Sequence, residues 1–262
     1  MFELPFKEWR VKSLVASVAP LLFQNLMLYF WIFANEPVAL MVFFGMPVIL
    51  VIVISGVIGY DSLKDTWGFD VPSIWHGLSL AGLGIAFGVA TFMFATVMST
   101  YVGFNLVPVP TATYLNQQLL SWTPELAEFW NQMIFNVLYF GVVAFGEELI
   151  VLFTMAGIAN WIAHKGYASG GTAILIGAVI ARILWAGTHC GAWLGLGLNV
   201  IGNFSFAIIV GMFFFTSIGF VLRSKEIWGN RAFAEFVIIG SLFAHWSYDI
   251  IVSMPQLLAW LI

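Results

Sequence analysis

Long apolar runs separated by short polar stretches follow one another along nearly the whole chain. A helix that crosses a bilayer needs roughly 20 mostly apolar residues, since each adds ~1.5 Å across a hydrocarbon core about 30 Å thick. That length rule predicts about seven spans, over residues 13–33, 37–59, 77–104, 130–162, 172–196, 200–222 and 232–252. The tail, 255–262, is apolar but too short to span, so it either lies in the interface or closes an eighth short helix. Hydrocarbon offers no partner for a backbone amide, and a helix satisfies its own. The expected fold class is therefore all-α: a polytopic transmembrane helical bundle of about 7–8 spans. It forms a single transmembrane domain over 1–262, with three spans and an outer loop in 1–129 and the remaining spans in 130–262.

The polar stretches set the orientation. Lys7, Arg10 and Lys12 precede the first span, Lys64 follows the second, Lys165 the fourth, and Arg223, Lys225 and Arg231 the sixth. The loops after the first, third and fifth spans carry no Lys or Arg. Basic loops stay in the cytoplasm, which puts the N-terminus there and, with seven spans, the C-terminus outside. The expected location is thus integral to the membrane and multi-pass. The opening run leads straight into the first span without a small-residue cleavage site and reads as a retained helix. Trp9, Trp31, Trp67, Trp75, Trp122, Trp130, Trp161 and Trp228 fall near span ends, as an interfacial aromatic belt requires. The outer loop, 105–129, holds Pro108, Pro110 and Pro124, and its length suits a lid, a substrate contact or a re-entrant segment.

Composition agrees with a lipid environment. Hydrophobic residues make up 61% of the chain and charged residues 8%, too few charges to coat a water-facing surface. The lipid bilayer is the partner this implies. A net charge of −4, spread thinly over loops, gives no sign of nucleic-acid binding. Cys190 is the single cysteine, which excludes an intramolecular disulfide and a cysteine-based zinc site.

Candidate chemistry comes from the ionisable residues that fall inside the apolar runs. Each costs roughly 2.5–3.5 kcal/mol to insert at a bilayer centre, so each calls for a reason. They are Glu147 and Glu148 in the fourth span, Arg182 and His189 in the fifth, and His245 and Asp249 in the seventh. Three helices that share the intramembrane charge are expected to face one another and neutralise it. His245 and Asp249 are four apart and share a helix face. Arg182, Trp185 and His189 also fall on one face, while adjacent Glu147 and Glu148 point about 100° apart. Gly187, Gly191 and Gly195 form a small-residue ridge that lets a neighbouring helix approach. His76 and His164, at span edges, read as surface residues, and Cys190 as packing.

The paired glutamates, followed by Trp185-xxx-His189 and then by His245-xxx-Asp249, resemble the motifs of a known family. These are the CAAX-protease and bacteriocin-processing membrane proteins, glutamic-type intramembrane endopeptidases related to Ras-converting enzyme. Their motifs run Glu-Glu-xxx-Arg, Phe-xxx-His and His-xxx-Asn/Asp on separate transmembrane helices. The resemblance covers about residues 141–251. It departs at Leu152, where the family has arginine, and at Trp185, where phenylalanine is usual. It implies hydrolysis of a peptide bond in a membrane-anchored peptide or protein substrate, with Glu147 or Glu148 polarising water together with His189. His245 and Asp249 would hold the oxyanion or the substrate carbonyl, and Trp185 would line the substrate site. Arg182, one helix away from the missing arginine, is expected to balance the glutamate charge.

Other readings stay open on sequence. Two glutamates and two histidines suit a zinc ion with one open position, although the compact His-Glu-xx-His spacing of zinc peptidases is absent; a metal-free mechanism is the expectation. A degenerate relative serving as a subunit of a larger membrane complex is consistent with Leu152 and short polar loops. An ion or proton transporter would also need intramembrane Glu, His and Arg, but no inverted repeat accompanies them.

Overall fold

The computed structural model describes residues 18–19, 21–22, 73–102, 129–168, 170–195, 199–215 and 239–258. Five helices of at least 11 residues lie in these stretches: α1 Ile74–Val102, α2 Phe129–His164, α3 Gly170–Gly195, α4 Val200–Val210 and α5 Ser241–Leu258. Among the described residues there is no strand. Three of the helices hold segments long and apolar enough to cross a membrane: Ile74–Met98, Val143–His164 and Gly171–Gly191. The two predicted spans before residue 60 and the outer loop fall outside the described residues, apart from short helical pieces at 18–19 and 21–22.

The helix edges differ from the predicted ones in informative places. α1, α2 and α3 begin one to three residues before their predicted starts, 77, 130 and 172. The predicted sixth span is regular only to Val210, then widens into a π-helical turn over Gly211–Phe215. The predicted end of the last span is passed, because α5 runs through Pro255 to Leu258. Residues 255–258 therefore continue α5 and do not begin a separate segment.

α1 shows how an all-apolar helix still has two faces. Leu78, Ile85, Val89, Met93 and Val97 are exposed along one stripe, and Gly84, Gly88, Thr91 and Ala95 are buried along another. Size, and not polarity, separates them, as expected where lipid is as apolar as the protein interior. The small stripe receives α5: a Cβ on Gly84 would collide with the Gly240 carbonyl, and one on Gly88 with Ser247. α3 meets α2 in the same way at Gly177, where a Cβ would lie 2.5 Å from the Met155 carbonyl. This approach lies N-terminal to the ridge anticipated at Gly187–Gly195.

α2 is the central helix. It packs along α3 and also against α5, and 88% of its apolar window is buried inside the protein, compared with 33% for α1. At 36 residues it is about 54 Å long, well beyond the hydrocarbon thickness. The two adjacent carboxylates thus lie on the most deeply buried of the three described candidate spans. Trp246 of α5 braces that helix from outside by donating its indole N–H to the Val137 carbonyl at 2.7 Å.

Candidate functional site

Glu147 and Glu148 occupy neighbouring positions of α2 and diverge as helix geometry requires. Both are buried, at 4% and 5% exposure. Glu148 turns toward α3 and α5. Arg182 donates to it twice, Nη1 to Oε1 at 3.0 Å and Nη2 to Oε2 at 2.6 Å. Ser241 donates its hydroxyl to Oε2 at 2.7 Å, and His245 Nδ1 lies 2.9 Å from Oε1. A carboxylate has about four lone-pair sites, so these four hydrogen bonds use its accepting capacity. The guanidinium fork also compensates the charge, which a buried carboxylate requires.

Glu147 is differently placed. Its Oε2 accepts a hydrogen bond from the Trp185 indole at 2.6 Å. His189 Nε2 and His245 Nε2 each stand 3.9 Å from that same oxygen, one from α3 and one from α5. That distance is beyond a direct hydrogen bond. Glu147 therefore keeps accepting capacity and faces two imidazoles.

The far sides of the two rings determine what these nitrogens can do. Thr188 Oγ1 donates to the Trp185 carbonyl at 2.6 Å, so its oxygen can only accept from His189 Nδ1, 2.9 Å away. The other neighbour of that nitrogen, the Trp185 carbonyl at 3.1 Å, is also an acceptor. His189 thus carries its proton on Nδ1, and in the neutral ring Nε2 has a lone pair. His245 Nδ1 meets a carboxylate and is likewise the protonated nitrogen. Both Nε2 atoms are then aimed at the Glu147 side, and His245 Nε2 also lies 3.5 Å from Asp249 Oδ2.

Trp185 is the wedge that holds this geometry. Its ring meets His189 edge-on at 5.1 Å and His245 at 5.5 Å, and the Arg182 guanidinium carbon stands 5.1 Å from its centroid. Trp193 stacks on the other side of His189 at 5.7 Å. Arg182, Trp185, His189 and Trp193 recur at helical spacing, which sets them on one face of α3. Gly211, in the π-helical turn, leaves room for the arginine: a Cβ there would lie 2.5 Å from Arg182 Cδ.

Beside the histidines is a cavity of about 70 Å³, roomy enough to hold water. His189, His245 and Asp249 line it from α3 and α5, and Trp193, Phe206 and Val210 supply apolar wall. Among the described residues, no group of three or more His, Cys, Asp or Glu side chains is disposed to hold a metal ion.

All seven residues singled out from sequence meet here: Glu147, Glu148, Arg182, Trp185, His189, His245 and Asp249. His76 and His164 are exposed and apart from it, and Cys190 is half-buried with its thiol toward the Ala186 carbonyl. Three further residues belong to the site: Thr188, Ser241 and Asn203. A search restricted to ionisable side chains passes over them. Comparison with protein-family models, curated proteins and solved structures found no match to this chain.

Proposed function

We propose that this chain is a multi-pass membrane protein of seven or eight spans, N-terminus in the cytoplasm, that cleaves peptide bonds within or beside the bilayer. The substrate is a membrane-anchored or lipidated peptide or protein, and the chemistry is that of the CAAX-protease type of glutamic endopeptidase. The observation that carries this reading is the approach of two imidazole Nε2 atoms, each at 3.9 Å, to one oxygen of a buried carboxylate.

A water held between Glu147 and His189 would lie within hydrogen-bond reach of both. Glu147 takes one proton of that water as its oxygen attacks the substrate carbonyl carbon. The carbonyl π electrons move to oxygen, and the resulting oxyanion is met by His245 when its Nε2 carries a proton. The tetrahedral centre collapses, the C–N bond breaks, and the proton on Glu147 passes to the leaving amine. Glu148 does no proton transfer. Its four hydrogen bonds keep His245 and Arg182 in place.

The test is hydrolysis of a mixture of fluorogenic apolar peptides by the purified protein in nanodiscs. Glu147→Gln should lower the rate about 10²–10⁴-fold, the usual worth of a general base, without moving the melting temperature. Wild-type turnover no greater than that of the variant would sink the peptidase reading.

A second reading has its own observation. Glu148, Arg182, Ser241 and His245 form a network that ties α2, α3 and α5 together whether or not any reaction occurs. A non-catalytic subunit of a larger membrane complex would need that network and not Glu147. It would co-purify with partner chains in mild detergent, and Glu147→Gln would leave the association intact.

A further inference from the structure

α4 is apolar along nearly its whole length, yet it buries an amide, Asn203, at 2% exposure. A buried amide without partners is costly. Here the cost is only partly offset. Asn203 Nδ2 donates to the Asn199 backbone carbonyl at 3.0 Å, the same oxygen that receives the Asn203 backbone N–H at 3.0 Å. Asn199 is itself held, since its side chain caps α4 by accepting from the Gly202 N–H. The amide is therefore oriented, with nitrogen toward the helix start and oxygen away from it. That oxygen makes no hydrogen bond among the described residues. Asn203 lines the same cavity as His189, His245 and Asp249, and it is the polar side chain that α4 contributes to that wall.

An acceptor fixed in this way, across a small cavity from the histidines, matches one feature that every peptide substrate carries. We propose that Asn203 is a substrate-binding residue whose side-chain oxygen accepts a main-chain N–H next to the scissile bond. The inference rests on the peptidase reading and names how that site takes its substrate. A peptide N–H entering the cavity loses water, and an unmade hydrogen bond there weakens binding. Asn203 returns the bond and fixes the strand along the cavity, so that the carbonyl is presented to the Glu147 side. Recognition through the main chain is indifferent to side-chain identity.

The test pairs protein variants with peptide variants. Asn203→Ser shortens the side chain beyond reach of the cavity, while its hydroxyl can still donate to the carbonyl four residues back and preserve the start of α4. Asn203→Ala removes both roles. The probe is a fluorogenic peptide cleaved by the wild type, together with analogues in which each amide N–H flanking the scissile bond is replaced in turn by an ester oxygen. Both protein variants should raise KM about five- to tenfold with kcat within about twofold, the worth of one neutral hydrogen bond. One ester position should penalise the wild type by the same factor and Asn203→Ser not at all, the signature of two groups acting on each other. Penalties that multiply at every ester position, or a KM unchanged in Asn203→Ser, would overturn the inference and leave the peptidase reading standing. A wild-type protein that cleaves no peptide overturns both. Loss of activity in Asn203→Ala with full retention in Asn203→Ser would assign the residue a purely structural role.

Discussion

The two glutamates differ by one position in sequence, are equally buried and share His245, yet differ in their hydrogen bonds. Glu148 accepts from a guanidinium, a hydroxyl and an imidazole, whereas Glu147 accepts from one indole and faces two ring nitrogens at a distance. Substitution should separate them. Arg182→Ala leaves a buried carboxylate unpaired and should destabilise the protein by about 3–5 kcal/mol in detergent unfolding. Arg182→Lys keeps the charge but not the fork, and should recover part of that loss. Unfolding indifferent to both changes would mean that the ion pair carries no stability. Trp185→Phe keeps the wedge-shaped ring and removes the N–H that holds Glu147 Oε2. It should lower kcat about tenfold or more with KM nearly unchanged, and should cost about 1.5–3 kcal/mol in detergent unfolding, the worth of a hydrogen bond to a charged group. An unchanged kcat would show that the indole contributes packing alone. At this scale the sequence was readable because charge in an apolar run is conspicuous. Thr188, Ser241 and Asn203 were not, since hydroxyls and amides are tolerated in membrane helices for many reasons, and only the packed helices bring them against His189, Glu148 and the cavity.

Among the helices, glycine positions decide how closely elements approach. A Cβ on Gly82 would meet nothing within 4 Å, one on Gly88 would strike Ser247, and one on Gly211 would strike Arg182. Gly82→Ala should be neutral or stabilising by up to about 1 kcal/mol, through helix propensity alone. Gly88→Ala should be destabilising by about 1–3 kcal/mol through overpacking. Gly211→Ala should combine a similar loss with reduced activity, because the arginine it displaces holds Glu148. Thermal unfolding of the three variants in one detergent checks the order. The same elements show what hydropathy can and cannot predict. The starts of α1, α2 and α3 follow from the length of apolar runs. The π-helical turn at Gly211–Phe215 and the passage of α5 through Pro255 do not, since neither leaves a mark in the apolar pattern.

At the scale of the whole molecule, the proposed orientation places the turn between α2 and α3 in the cytoplasm. That turn is tight: Gly166 has φ 72°, and Lys165 and Tyr167 are exposed beside it. With one native cysteine to remove, topology is directly measurable. In a Cys190→Ser background, Lys165→Cys should react with a membrane-impermeant maleimide added to the cytoplasmic face and not to the outer face. The opposite pattern would invert the bundle and put the cavity within reach of substrates on the other side. The basic residues that led to this orientation lie mostly outside the described stretches, so the labelling experiment tests the positive-inside argument itself.

The Glu148 carboxylate joins residues 34, 93 and 97 positions further along the chain. During synthesis at about 5–20 residues per second, α2 would wait roughly 2–7 s for Arg182 and about 5–20 s for His245. Through that interval a carboxylate destined for a buried position lacks the guanidinium that pairs with it in the folded protein. The nascent chain must then be held by the insertion machinery, keep α2 near water, or carry its proton until α3 arrives. Biogenesis of this protein should accordingly stall or become degradation-prone when the chain is cut after α2, and recover once α3 has been added.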